Sequence, residues 1–422
     1  MKNLVILGAG TGGTIMAHRL AGPLKKRGWK VTVIDKDDNH YYQPGFLLVP
    51  FGIYHPEDLV RRRSHLLPKG VDFIVEKVEE IKPGSKKIEL VNGQEISYDL
   101  LLIATGNHIR PDETPGLQDG WRKNIFDYYS IDGVRALAEK LKEFREGTLV
   151  VHIAEMPIKC NVSPLEFAFL ADWYFRKKGV RENIRLVYVT PISGAFTKPV
   201  ATRYLGDLQA KKKIEVESFF LTEKVDPAAG KVVCYDGRAV GFDLLVTIPP
   251  NFGAEVIGRS GLGDEMNYVP VDESGFRSEK YADIFVIGDA AANDWTKAGS
   301  VVHFESEILD KIILAEIDGK KVELSFDGHA NCFIETGFGK AVVIDYNHEV
   351  EPLPGKFPLP VVGPMSLLKE TRLNHWSKLA FEWVYWHWLL KGRAVPFVPA
   401  LMSRRGKKDV RNFPTRGATG QE

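Results

Sequence analysis

The apolar positions of this chain fall into short uninterrupted runs, each closed by a turn and several followed by a longer, helix-like stretch. The runs "NLVIL" (Asn3 to Leu7), "KVTVID" (Lys30 to Asp35), "YDLLLIATG" (Tyr98 to Gly106), "GTLVV" (Gly147 to Val151), "NIRLVYV" (Asn183 to Val189), "DLLVTI" (Asp243 to Ile248) and "DIFVIG" (Asp283 to Gly288) read as buried strands. Runs of this length without alternation are the pattern of strands covered on both faces, as in parallel sheets. Between them lie helical stretches such as "TGGTIMAHRLAG" (Thr11 to Gly22) and "FAFLADWYFRKKG" (Phe167 to Gly179). The pattern predicts an α/β fold. Near the C-terminus "FDGHANCFIETGFGKAVVIDYN" (Phe326 to Asn347) reads instead as a glycine-flanked strand pair.

The first strand-to-helix junction carries chemistry. Gly8, Gly10 and Gly13 fit G-x-G-x-x-G. The first glycine permits the tight turn, the second lets a pyrophosphate reach the backbone, and the third lets helix and strand pack closely. The helix start then offers unpaired N–H groups to phosphate. The next strand ends in Asp35-Lys36, and a carboxylate there can accept ribose hydroxyls. Strand, glycine turn, helix and acid in this order specify a dinucleotide cradle far better than the glycines alone, which would also suit a structural turn.

Composition narrows the classes. The chain has 422 residues, 44% of them hydrophobic, enough for two or three domains with real cores. A formal charge of +1 gives no reason to expect nucleic acid. Three cysteines, Cys160, Cys234 and Cys332, are too few for a disulfide framework and too far apart for a zinc site, so no metal is expected. No signal peptide is apparent ahead of "NLVILGAGTGG", and no apolar run approaches the roughly 20 residues of a membrane span.

Two further strand ends, Ala104-Thr105-Gly106 and Gly288-Asp289, complete a set with the glycine cradle. The set resembles the flavoproteins with two dinucleotide-binding domains, the disulfide-reductase-like superfamily. The resemblance implies tandem Rossmann-like domains with FAD in the first cradle and Gly288-Asp289 against the ribityl chain and phosphates. It places the FAD-binding domain at 1–114 and 266–320, a second Rossmann-like domain at 115–265, and a third region at 321–422. In the second domain the turn "HIAEMPIKCNVSPLE" (His152 to Glu166) has no glycine, and Glu155 to Lys159 would crowd a pyrophosphate. The next strand ends in Thr190-Pro191 rather than an acid. The nicotinamide site is therefore expected to be lost. Cys160 stands in its place, close to a helix start that is expected to lower its pKa.

"PIKCNVSPLE" and "HANCFIETGFGKA" sharpen the likeness. They resemble the redox-cysteine segments of sulfide:quinone oxidoreductases and of the related flavocytochrome c sulfide dehydrogenase flavoprotein. "DLLVTIPPNFGAEVI" resembles the family's Pro-Pro strand end, and "NDWTKAGSVVHFES" its Lys-x-Gly segment with Lys297 and Gly299. The resemblance implies that sulfide attacks a Cys160–Cys332 disulfide. Electrons then pass through FAD to a membrane quinone, and sulfur leaves as polysulfide or zero-valent sulfur. Glu166, in the first turns of the following helix, reads as a proton shuttle among sulfide, thiol and flavin, with a helix-start carboxylate as the alternative; Lys297 reads as a cation near the flavin, with a surface lysine as the alternative. Some members bond flavin through a further cysteine, but the matching stretch "WRKNIFDYYSIDG" has none. Cys234, in a hairpin-like stretch, reads as structural.

Last comes "NHWSKLAFEWVYWHWLLKGR" (Asn374 to Arg393), which holds Trp376, Trp383, Trp386 and Trp388. It is too short to span a bilayer, and a basic tail follows. This reads as an interfacial anchor on anionic lipid, with a core or oligomer helix as the alternative. The expected protein is monotopic at the cytoplasmic face of the cell membrane, with room for a homo-oligomer. Two other readings compete: a soluble sulfide dehydrogenase flavoprotein working with a cytochrome, and a flavoprotein scaffold within a sulfur-metabolising complex.

Overall fold

The structure is a computed structural model, and it describes residues 1–408. Two five-stranded parallel sheets carry it. In the first, strand Lys2–Leu7 lies at the centre between Trp29–Asp35 and Leu100–Ile103, with Asp72–Val75 and Ile284–Val286 at the edges. All four pairings are parallel, and Leu7 aligns with both Ile34 and Ile103. The strand ends that the sequence singled out therefore meet at one edge of one sheet. Helix Thr11–Lys25 follows the first strand, and Gly299–Ile317 packs beside it.

The second sheet repeats this plan. Gly147–Ile153 lies between Leu244–Ile248 and Ile184–Val189, flanked by Ile125–Phe126 and Glu215–Glu217. These pairings are parallel too. Helix Ser163–Lys177 leaves the end of the central strand and buries most of its residues, as a helix sandwiched between layers must. His152 is spent on this sheet. Its two ring nitrogens lie 2.9 Å from Thr247 Oγ1 and 2.8 Å from Thr222 Oγ1, and burial depresses it to about 3.

The third part is a four-stranded sheet, Ala330–Gly337, Lys340–Tyr346, Gly363–Leu367 and Gly355–Leu359 in spatial order. Its first strand packs on helix Ser163–Lys177. Helix Arg372–Val384 packs on its second strand, then widens into a single π-helical turn, Tyr385–Leu389. The tryptophan segment thus divides between the interfacial-anchor reading and its core-helix alternative. Trp386 is only 2% exposed and Trp388 half-buried, whereas Trp376 and Trp383 are 63% and 61% exposed. The basic tail also divides. Lys407 is buried with Asp345, not free for lipid, and residues 409–416 lie outside the described residues. Among the described residues no helix is long and apolar enough to cross a membrane.

Candidate functional site

The first cradle is built by steric exclusion. Gly8 has φ +103°, and a Cβ there would stand 2.4 Å from Ala104 O; a Cβ on Gly13 would stand 1.8 Å from Gly8 O. At Gly10 a Cβ would meet nothing within 4 Å, which leaves the middle of the turn open for a ligand. Asp35 accepts from Ala9 N–H at 2.6 Å and from Arg63 Nη1 at 2.6 Å. Burial raises the Asp35 carboxyl, and the Arg63 charge opposes the rise. Lys36 is exposed beside it. Thr105 Oγ1 and Arg63 Nε are buried without a partner among the described residues, as donors awaiting a polar ligand would be.

Gly288-Asp289 closes the far side. Gly288 has φ +71°, and its N–H donates to Glu305 Oε2 at 2.7 Å. Glu305 is fully buried, and its carboxyl is pushed up to about 7 by desolvation. Lys297 is no surface lysine. It is buried, donates to Ala291 O at 2.8 Å and sits 4.4 Å from the centre of the Tyr268 ring. Burial lowers its pKa against the pull of Asp289 and Glu305. Gly299 opens the following helix.

Cys160 is tied to this edge. Its backbone N–H donates to Lys297 O at 2.8 Å, and it holds φ +56°, an uncommon conformation for a residue with a side chain. The glycine-free turn is filled by the protein itself: Lys159 N–H donates to Asn251 Oδ1 at 3.1 Å, and Tyr129 Oη donates to Lys159 O. Cys332 comes from strand Ala330–Gly337 and is buried; burial first, and then charge on Cys160, push its thiol well above the usual range. Tyr346 Oη, 3.0 Å from Thr296 Oγ1, feels both thiols. All three cysteines are free thiols; Cys234 lies apart, buried at the end of strand Lys231–Cys234 in the core of the three-stranded sheet Thr222–Asp226, Lys231–Cys234 and Ala239–Gly241.

The expected low pKa of Cys160 is corrected. Its thiol is pushed up to about 11, first by burial and then by the charge of Glu166. Backbone N–H groups at the start of helix Ser163–Lys177, those of Val162 and Ser163, do lower it, as does the charge of Lys378, but the loss of water outweighs them.

Glu166 is in that first turn and is 2% exposed. Its Oε1 accepts from Glu335 N–H at 2.9 Å and from Lys378 Nζ. Lys378, on helix Arg372–Val384, also lies 3.3 Å from Phe333 O. Burial would lower Lys378, but Glu166 and Glu335 together raise it and keep it charged. Glu335 in turn meets His375 Nδ1 at 2.9 Å. Sequence reasoning missed Lys378, Glu335, His375 and Arg63. The one visible signal was a lysine standing among apolar neighbours in the tryptophan segment.

A family model described as "Pyridine nucleotide-disulphide oxidoreductase" matches residues 2–305, and the chain belongs to that family. Within it, a likeness to sulfide:quinone oxidoreductases runs along most of the chain. The chain is 26% identical over 397 residues to the mitochondrial enzyme of Mus musculus, covering 92% of this chain and 86% of that one. It is 27% identical to that of Dictyostelium discoideum, covering 93% and 87%. The solved sulfide:quinone oxidoreductase of the hyperthermophilic bacterium Aquifex aeolicus superposes with a TM-score of 0.79 at 23% identity, over 94% of this chain and 93% of that one. The fold is thus the tandem Rossmann-like arrangement, and FAD is the cofactor. The open turn at Gly10 and the unpartnered Thr105 and Arg63 atoms fit that group.

The electrostatics predict how the reduced thiols titrate. Cys160 should alkylate slowly at pH 8, with a rate still climbing above pH 10. Glu166→Gln removes a charge that raises the thiol, so its profile should shift to lower pH. Lys378→Met should shift it to higher pH. Iodoacetamide kinetics with peptide mapping measures both, and an unshifted Glu166→Gln profile would contradict the assignment.

Proposed function

We propose that this chain is a sulfide:quinone oxidoreductase whose redox couple is Cys160 and Cys332. The observation that carries the reading is the junction itself: a cysteine turn hydrogen-bonded to Lys297 O, with a second cysteine and a buried Glu166–Lys378 pair near enough for their charges to act on its thiol or to be acted on by it. In the oxidised couple, the sulfur of sulfide attacks one atom of the Cys160–Cys332 disulfide and the S–S bond breaks. One cysteine becomes a persulfide and the other leaves as a thiolate, so two electrons move from sulfide to the departing sulfur. Lys378 lowers both thiols electrostatically and so stabilises the thiolate that departs. Glu166, held by Lys378 and Glu335 N–H, is placed to take and return the sulfide proton. FAD, when bound, supplies two-electron chemistry between the thiolate and the quinone. Lys297 holds a buried cation at that cradle, and Asp289 ends the strand that would meet the ribityl chain.

The glycine-free second turn supports electron entry from sulfide rather than from a nicotinamide, despite the family's general name. Its backbone groups are already occupied by Asn251 and Tyr129. Anaerobic sulfide should therefore bleach the flavin of the purified protein, and a short-chain quinone should restore its colour. NADH should not bleach it on the same timescale. Cys160→Ser and Cys332→Ser should each lose sulfide-dependent quinone reduction by at least 100-fold, on the order of a removed nucleophile, while Cys234→Ala keeps most of it. Near-normal turnover in both serine variants would overturn the reading.

We further infer that the protein meets its quinone at a membrane surface through the exposed face of its C-terminal helix. Trp376, Trp383 and Leu373 stand out to solvent there, and indoles favour the headgroup boundary. Replacing Trp376 and Trp383 with serine should release the protein from anionic liposomes and lower turnover with long-chain quinone. Flavin bleaching by sulfide should persist. Normal liposome binding by that double variant would contradict the inference.

A further inference from the structure

The C-terminal helix has a second face, which the electron path does not use. Where it widens into the π-helical turn, Tyr385 and Trp386 point inward and are each 2% exposed. Tyr385 Oη lies 2.8 Å from Thr11 Oγ1 and 2.7 Å from His40 Nε2, and His40 Nδ1 lies 3.1 Å from Ala9 O. Thr11 is the first residue of the cradle helix, and Ala9 stands between Gly8 and Gly10. One phenol from the far end of the chain therefore grips the glycine turn on both sides.

The direction of these bonds follows from chemistry. Burial pushes His40 down to about 4, so the ring is neutral near pH 7. Nδ1 faces a carbonyl oxygen and must carry the proton; Nε2 then accepts from Tyr385 Oη. Tyr385 has given its only proton, so it accepts from the Thr11 hydroxyl. Every member has one bond it can satisfy in only one way, which makes the chain Thr11–Tyr385–His40–Ala9 a directional brace. Beside it, Trp386 packs 5.5 Å from the His40 ring, under the Arg61 guanidinium at 4.3 Å. Its Nε1 is buried without a partner among the described residues, as is Arg63 Nε, which belongs to the Asp35 cluster of the same cradle.

We propose that the C-terminal aromatic turn is part of the cofactor site: Tyr385, as a positioning residue acting through Thr11 and His40, holds the Gly8–Gly13 turn in its phosphate-binding shape, so that FAD retention and docking of the C-terminal helix are coupled. This rests on FAD being the ligand of the first cradle. Coupling of this kind is reciprocal: if the docked turn tightens FAD, bound FAD tightens the docked turn by the same factor. The helix that offers Trp376 and Trp383 to its surroundings is then seated firmly only on a loaded cradle.

The test uses purified holoenzyme and follows FAD release by the recovery of free-flavin fluorescence. Tyr385→Phe removes both bonds and should release FAD about tenfold faster, as expected for the loss of two modest hydrogen bonds. Thr11→Val should also speed release, and the Thr11→Val/Tyr385→Phe double variant should be no faster than Tyr385→Phe, because both act through one brace. Val240→Ala, in the core under the three-stranded sheet, should lower the melting temperature without speeding release. In the other direction, amide hydrogen exchange across 372–390 should quicken when FAD is stripped. Native-like release from Tyr385→Phe would overturn the proposal, as would equal acceleration by Val240→Ala or unchanged exchange in the stripped protein. A purified protein with no flavin absorbance would overturn the cofactor reading itself, and the proposal with it.

Discussion

A single buried ion pair, Glu166 with Lys378, ties together the three parts that make this site. Glu166 belongs to the helix of the second parallel sheet, Lys378 to the C-terminal helix, and the strand between them supplies Glu335 N–H and Phe333 O as further partners. Neither charge is tolerable there alone. A buried carboxylate without its cation loses several kcal/mol, so the three segments must close on one another for either group to be buried. Closing them also brings Cys160 and Cys332 within the range where the charge of one thiol acts on the other. The geometry that satisfies the charges is the geometry that assembles the thiols.

The same pair sets the character of those thiols. Desolvation alone would leave both cysteines strongly protonated, and Glu166 adds to that; Lys378 is the counterweight. A leaving thiolate is made tolerable by a fixed cation rather than by exposure to water. The second parallel sheet has meanwhile kept its strand-to-helix turn but filled it with its own side chains and backbone bonds. The turn now holds Cys160 at a positive φ against Lys297 O, at the margin of the first cradle. A nucleotide-binding shape serves as a mount for a thiol.

Much of this was legible because the signals are local. Gly8, Gly10 and Gly13 are contiguous with the strand and helix they serve, and each strand end is written in a few residues. Cys160 and Cys332 were found through their flanking segments. Lys378, Glu335, His375 and Arg63 were not, because their partners lie far off in sequence and no periodicity records a contact between a helix and a distant strand. The Cys160 pKa was misjudged for a related reason: a helix start is visible in sequence, but burial is a property of everything packed around it. In the sequence Trp386 reads as part of a lipid anchor, because hydropathy cannot distinguish an indole facing lipid from one facing Tyr42 and His40. Only the packing separates it from Trp376 and Trp383.

The most direct measurement of the account is the fate of sulfide sulfur in a single turnover. Oxidised protein would be mixed anaerobically with one equivalent of sulfide, quenched by alkylation and mapped by mass spectrometry. The account predicts one additional sulfur at the couple, as a persulfide on Cys160 or Cys332 with an alkylated thiol on the other while the flavin is oxidised, or bridging the two once the flavin is reduced, with Cys234 unchanged. Reduced flavin with no added sulfur at either Cys160 or Cys332, or with the added sulfur on Cys234, would contradict it.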